Sequence, residues 1–358
     1  MLKQDRTIIA SILADHANQS PKNLLVEDPI HGNHLIEEPV LVDLLLSAPV
    51  QRLKRVLQHG ITALIGLTPS PPVTRYEHSV GAMLLVRRAG GSLEAQASAL
   101  LHDVAHTALS HVADTAFGYV VHEDDKMEYL DTTAIPDILR RHGFDPEEIF
   151  DEHRYPLLEL DAPAVCADRL DYGLRDCVAF KLLTASAAAA ISSDLVASRQ
   201  GKFCFKSVGR AKELAEANMQ ADEFAWSNPT HSLLYQYAAD AIRLAHSTGE
   251  MRKSELWEAE GDDAFWRKMT ESSNPEIHRL ASRVKKTTQV VEISEHEYDE
   301  SRGDRFKEKT KVRTIDPDVL QADGSVVRLS VLSEEYRLKR EAYLERKSGK
   351  HWYRVVEE

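Results

Sequence analysis

Ala99-Leu100-Leu101-His102-Asp103-Val104-Ala105-His106 is the stretch from which the rest of the chain can be read. Leu93, Ala97, Leu100, Leu101 and Val104 recur at the spacing of one helical face, so the segment reads as a helix buried along that face. His102 and Asp103 are neighbours inside this apolar run, and neighbouring helical side chains point roughly 100° apart. Burying two polar groups costs free energy unless each finds a partner, and a bound cation would remove that cost. His106 follows one turn after His102 and is expected to face the same cavity.

Two further segments carry matching chemistry. Arg75-Tyr76-Glu77-His78-Ser79 opens a helix-like stretch about two dozen residues upstream. Downstream, Cys166-Ala167-Asp168-Arg169-Leu170-Asp171-Tyr172-Gly173-Leu174-Arg175-Asp176 places Asp168, Tyr172 and Asp176 on one polar stripe at i, i+4 and i+8. Such a stripe lines a cleft or faces solvent, and periodicity alone leaves both open. Imidazole and carboxylate together suit a divalent metal that handles phosphate oxygens.

Outward from these segments, apolar residues recur at helical spacing from about 41 to 250, which predicts a mainly α fold. Residues 1–40, with a helix-like start followed by Pro21, Asp28-Pro29 and Glu38-Pro39, read as an N-terminal arm. Leu195-Val196 and Phe203-Cys204-Phe205, flanking Arg199-Gln200-Gly201, read as a small hairpin insertion. Residues 251–358 read as a smaller α+β extension, with strands expected at 289–293, 310–313 and 326–330.

The chain has 358 residues, enough to bury a catalytic site, and its 57 acidic against 44 basic residues give a net charge of −13. That balance argues against general nucleic-acid binding, and an anionic ligand requires a local basic cluster to attract it. The 3 cysteines, Cys166, Cys177 and Cys204, form no CxxC pair. Cys166 and Cys177 fall on one predicted helix, roughly 16 Å apart and too far to bridge. A reducing, cytoplasmic setting is the expectation. No run approaches the ~20 apolar residues of a membrane span, so neither membrane association nor secretion is expected.

In order, His78, the doublet His102-Asp103 and Asp168 reproduce the H…HD…D pattern of the HD superfamily, which the chain resembles. Asp28-Pro29-Ile30-His31-Gly32, Gln51-Arg52-Leu53, Gln58-His59-Gly60, Arg75 to Gly81, His102 to His106, Ser110-His111 and Asp168 to Tyr172 are similar to the deoxynucleoside triphosphate triphosphohydrolase branch, over about residues 28 to 176. The resemblance implies a helical HD core and a metal-dependent phosphohydrolase. It implies one divalent metal ion (iron, manganese, zinc or magnesium) on His78, His102, Asp103 and Asp168. Proton-handling residues by position are His106, His111 and His122; Arg75 and Arg169 match phosphate contacts, and Gln58, Tyr172 and Asp176 match sugar contacts. The expected substrate is a small phosphorylated molecule, with a purine deoxynucleoside triphosphate as first choice. Oligomeric state is left open, with a homo-oligomer compatible. The chain departs from the branch at Gly66 to Thr74, where a glycine-containing link is usual, and at Ala105, where a glycine is usual.

Competing readings stand beside these. Arg169 could pair with Asp171 or Asp176 at the surface, Arg52, Lys54 and Arg55 could be a solvated helix face, and His31 and His34 read as turn residues outside the site. His122 with His142 could hold a second metal, although Gly143 makes His142 look like the basic end of a helix. Three other functions compete: a phosphomonoesterase, a di-iron oxygenase on the same scaffold, and a nucleotide-binding regulator that turns over slowly.

Overall fold

The computed structural model describes residues 9–12, 23–68, 71–309 and 311–356. Its frame is the antiparallel helix pair Arg75–Arg88 and Leu93–Leu101, against which the helix Ala167–Ala179 packs. The first helix starts at a capping box: Thr74 Oγ1 accepts from the Glu77 amide at 3.2 Å, and the Glu77 carboxylate accepts from the Thr74 amide at 2.8 Å. This sets Arg75 as the first helical residue and turns His78 inward. Gly81 lets the third helix approach: a Cβ there would lie 1.9 Å from Asp171 Oδ1. The fold is helical, with small sheets in its C-terminal part, as the apolar spacing predicts.

The helix expected to run through His106 stops at Leu101. His102 Nδ1 bonds the Ala99 carbonyl at 2.7 Å, and the chain continues in tight turns, Val104 N to Leu101 O at 3.0 Å and His106 N to Asp103 O at 3.0 Å. Leaving the helix lets His102 and Asp103 turn toward one point, which neighbours on a continuous helix cannot do. The turn also passes between two apolar cores: Leu101 and Val104 belong to one, and Ala108 and Leu109 to another around the helix Pro229–Ser247.

At the N-terminus β1 (Ile9–Ile12), β2 (Leu24–Asp28) and β3 (Gly32–Ile36) form an antiparallel sheet. Residues 9–12 of the expected helical start are thus a strand; the rest of that start lies outside the described residues. Leu24, Val26 and Ile36 are fully buried in the main core, so the hairpin packs as part of the helical body.

β4 (Leu195–Ala197) and β5 (Phe203–Phe205) form the expected hairpin. β5 also pairs in parallel with β8 (Asp318–Leu320), itself joined to β9 (Val326–Arg328), so one sheet ties residues on both sides of position 250. A second sheet has the order β6 (Gln289–Ile293), β10 (Lys350–Val356), β7 (Arg305–Lys309). The strand expected at 310–313 is displaced to β7; Thr310 lies outside the described residues, and 311–317 is irregular because its backbone is bonded elsewhere. The Arg313 amide donates to Asp222 Oδ1 at 3.2 Å and the Asp316 amide to Pro163 O at 2.8 Å. Among the described residues no helix is long and apolar enough to cross a membrane.

Candidate metal centre

His78 from the first helix, His102 and Asp103 from the turn, and Asp168 from the third helix converge. His78 Nε2 lies 3.1 Å from His102 Nε2 and 3.0 Å from Asp168 Oδ1. Asp103 approaches His78 at 3.6 Å and His102 at 3.7 Å. The other ring nitrogens decide the chemistry: His102 Nδ1 donates to Ala99 O, and His78 Nδ1 donates to Asp171 Oδ2 at 2.9 Å. With Nδ1–H so assigned on both rings, the two Nε2 lone pairs face each other between two carboxylates. That arrangement demands a cation, and two nitrogens with two carboxylates fit a divalent metal.

A proton shows the same demand. Burial alone would lower the His78 pKa, but hydrogen bonds to Asp168 and Asp171 and the Asp103 charge overcome it and raise it to about 10. His102 follows the same pattern, lowered by burial and raised overall by Asp103 and Asp168. Burial would raise the carboxyls, yet Arg75 with His102 and His106 holds Asp103 well below its ordinary range, and the bonds from His102 and His78 hold Asp168 low. Both carboxylates are ready to ligate.

Behind His78 is a network outside the sequence-based site. Asp171 bonds His31 Nε2 at 2.6 Å and Arg175 Nε at 2.9 Å, and Arg175 Nη2 reaches Asp28 Oδ2 at 2.6 Å. Asp28 Oδ1 accepts from the amides of Ile30 and His31, while His31 Nδ1 contacts Ser192 Oγ at 2.8 Å. His31 is therefore no mere turn residue: it is buried and orients the carboxylate that orients His78. The signals available in the sequence were the Asp28 to Gly32 motif and Asp171 three residues after Asp168. His34 stays outside the network, bonding the His31 carbonyl at 3.1 Å.

On the other flank Arg75 Nη1 bonds Asp103 Oδ2, and Arg75 Nε bonds Ser110 Oγ at 2.7 Å. His106 reaches Asp103 Oδ1 at 3.3 Å from the turn after the helix rather than from the helix itself. Its ring stacks on His122 with centroids 3.7 Å apart, and His111 Nδ1 and His122 Nδ1 both approach the Asp114 carboxylate, at 2.9 Å and 3.2 Å. Burial, with the Arg75 guanidinium and the neighbouring His122 ring, holds His106 well below the ordinary imidazole range. His106, His111 and His122 could together hold an ion. His142 takes no part: it ends the helix Ile135–Arg141 and bonds Asp43 at 2.8 Å.

His102, Asp103 and Asp168 open into a cleft of about 980 Å³ that Gln58, Arg75, Tyr172, Asp176, Arg169, His111 and His122 also line, with His78 buried behind them. The polar stripe of the third helix faces this cleft. Asp176 and Asp171 are buried, so neither offers Arg169 a surface pair; Arg169 Nη1 bonds Leu160 O at 3.1 Å and Ala164 O at 2.7 Å, and Nη2 lies 3.4 Å from Glu159. Asp176 instead receives Trp226 Nε1 at 2.8 Å and faces His59 Nε2 at 3.0 Å. Arg52 is likewise not a solvated side chain: with Trp257 it grips the back of the ligand turn, Arg52 Nη2 on Val104 O at 3.0 Å and Trp257 Nε1 on Ala105 O at 2.7 Å. Trp257 sits 152 residues away in a stretch with no motif, so nothing in the sequence pointed to it.

Residues 75–175 match the HD domain family. Over 345 residues the chain is 37% identical to the metal-dependent phosphohydrolase cns2 of Cordyceps militaris, spanning 94% of this chain and 96% of that one. It is 35% identical over 329 residues to the uncharacterized protein YdhJ of Bacillus subtilis, spanning 90% and 97%. Two solved structures share the fold: a phosphohydrolase from Bacteroides thetaiotaomicron (TM-score 0.63, 15% identity, 94% of this chain and 100% of that chain) and a hypothetical protein from Aquifex aeolicus (TM-score 0.64, 18% identity, 93% and 96%). With relatedness along nearly its whole length and a family match that includes every converging donor, the chain belongs to the HD-domain metal-dependent phosphohydrolases and acts on a phosphorylated substrate.

Proposed function

We propose that this enzyme hydrolyses a phosphate ester of a nucleotide, a deoxynucleoside triphosphate being cleaved to the deoxynucleoside and inorganic triphosphate. The observation that carries the reading is the cleft wall beside the donors, where Gln58 Oε1 and Asn218 Oδ1 are buried acceptors without a partner among the described residues. Unpaired buried acceptors are costly, and hydroxyl and amino hydrogens of a sugar and base would satisfy them. Tyr172 and Trp226, in edge contact at 5.2 Å, offer the adjoining flat surface.

His78, His102, Asp103 and Asp168 would hold one divalent ion, which when bound supplies a Lewis acid for a phosphate oxygen and a more acidic water. The chain's own groups do the rest. Asp171 fixes the His78 tautomer, and Arg75 fixes Asp103. His106 lies against Asp103 with its Nδ1 buried and without a partner among the described residues, placed to take or give a proton at the reacting oxygen. His111 and His122, oriented by Asp114, would carry that proton outward.

A second reading, phosphomonoester hydrolysis, is favoured by one observation: Arg75 and Arg169 have most of their donors committed within the protein, which leaves them little for a chain of phosphates. The deciding experiment is a metal-reconstituted screen of nucleoside tri- and monophosphates with chromatography of the products. Inorganic triphosphate supports the first reading; stepwise single phosphates replace it with the second. Oxygen uptake with two metals per chain would overturn both in favour of an oxygenase.

A further inference from the structure

A chain of net charge −13 that draws an anion into its cleft needs a basic cluster there, and the ligand-bearing helices do not provide a free one. Four Lys or Arg side chains line the cleft: Arg75, Arg169, Lys311 and Arg313. The first two are tied down as described. The last two come from the irregular segment after β7, in the C-terminal part. Lys311 Nζ has no partner among the described residues. Arg313 uses only Nη1, on Trp226 O at 3.1 Å and Lys311 O at 3.5 Å, which leaves Nε and Nη2 free among the described residues.

The segment is fixed in place. The Arg313 amide is held by Asp222 and the Asp316 amide by Pro163 O, Arg340 Nε bonds Thr314 Oγ1 at 3.0 Å, and Tyr336 Oη donates to Ile315 O. Pro163 belongs to the loop that leads into Asp168 and that Arg169 also pins. Two cations on a braced backbone, with free donors and in one cleft with the metal donors, are what a second anionic group of a substrate requires.

We propose that Lys311 and Arg313 form an anion subsite for phosphate groups beyond the one bound at the metal donors, so that the cleft selects substrates with a chain of two or more phosphates. This rests on the nucleotide reading above and deepens it: the C-terminal segment supplies the charges that a triphosphate needs and that Arg75 and Arg169 withhold.

The test is calorimetric binding of inorganic phosphate, pyrophosphate and triphosphate to the metal-loaded protein, wild type against the double variant Lys311→Ala/Arg313→Ala and the single variant Lys311→Glu. Among the described residues the Lys311 ammonium makes no hydrogen bond or ion pair, so Lys311→Glu should keep the fold even if loss of the Arg313 to Trp226 bond disturbs it. Wild type should bind triphosphate more tightly than phosphate. The double variant should lose 10- to 100-fold for triphosphate and under about threefold for phosphate, with metal content unchanged; Lys311→Glu should lose about tenfold for triphosphate, less at high salt. Equal losses for phosphate and triphosphate, or none for either, overturn the subsite. Binding is read without turnover, so the two proposals fail separately: triphosphate selectivity in a protein inert to every nucleotide keeps the subsite and removes the nucleotide reading. Turnover of nucleoside triphosphates with variant affinity unchanged does the reverse.

Discussion

The two flanks of the metal centre are built on opposite terms. On the His78 flank both nitrogens of His78 and His31 and both oxygens of Asp171 and Asp28 are engaged. On the His106 flank two imidazoles stack at 3.7 Å, His111 is half exposed, and His106 Nδ1 is buried without a partner among the described residues. A fully bonded carboxylate and imidazole network holds a ligand in one orientation and one tautomer. An imidazole with a free nitrogen can gain or lose a proton without breaking its surroundings. The first flank is suited to holding, the second to exchange.

The largest effect that would break this contrast comes from the donors themselves. His102→Ala or Asp103→Ala should empty the site of metal and abolish turnover, with the fold kept because apolar packing of other helices carries the cores. Metal analysis beside a thermal melt checks this, and full metal occupancy in either variant would remove that residue from the ligand set.

Next is His106→Ala, which should keep the metal and lose on the order of 10²–10⁴ in the chemical step. Substrates with better leaving groups should suffer less if His106 protonates the departing oxygen, and equally if it serves the attacking water. A metal-free His106→Ala protein would merge the two flanks into one metal-holding unit.

The holding flank is probed by Asp171→Asn and Gly81→Ala. Asp171→Asn removes the charge opposite His78, and a Cβ at residue 81 would collide with the Asp171 carboxylate. Each should weaken metal binding about 10- to 100-fold while turnover at saturating metal falls less. Unchanged metal affinity in both would mean the network serves stability alone.

The smallest step, at most about tenfold for each pH unit, is the pH dependence of metal uptake. In the metal-free protein His78 holds its extra proton up to about 10, above the ordinary histidine value of 6.5. Below 6.5 that proton contributes its full stabilisation to the metal-free fold, and the contribution is lost as pH rises toward 10. Metal must displace it, so binding at pH 7 should release at least one proton, and affinity should rise up to about tenfold per pH unit across that window. Calorimetry in buffers of different ionisation enthalpy measures the release; none would mean that no proton stands in for the metal.

Legibility followed distance along the chain. The helical class, the hairpin at 195–205 and the strand at 289–293 could be read because periodicity and turn residues are local properties. The structure brings together the residues that the spacing picks out, but His106 for a different reason: it faces the cleft because the helix ends at Leu101, whereas helical spacing would place it there on a continuous helix. Arg169 lines the cleft yet spends Nη1 on Leu160 O and Ala164 O, because a guanidinium satisfies carbonyls as readily as phosphates, and the loop at 160–164 that captures it has no sequence signature.

By itself the sequence determined the donor types and their order, His78, His102-Asp103 and Asp168, because ligand softness and charge belong to side chains whatever their neighbours. The acidic balance likewise required that any anion be met by a local basic cluster. Tertiary structure alone decided where that cluster lies and what supports the donors. Asp171 meets His31, 140 residues away on the turn between β2 and β3, while Gly81 leaves room for its carboxylate between two helices, and Lys311 and Arg313 line the cleft because their backbone is bonded to Asp222 and, through Asp316, to Pro163. A buried polar group takes whichever partner packing brings within reach, and packing is a property of the whole chain.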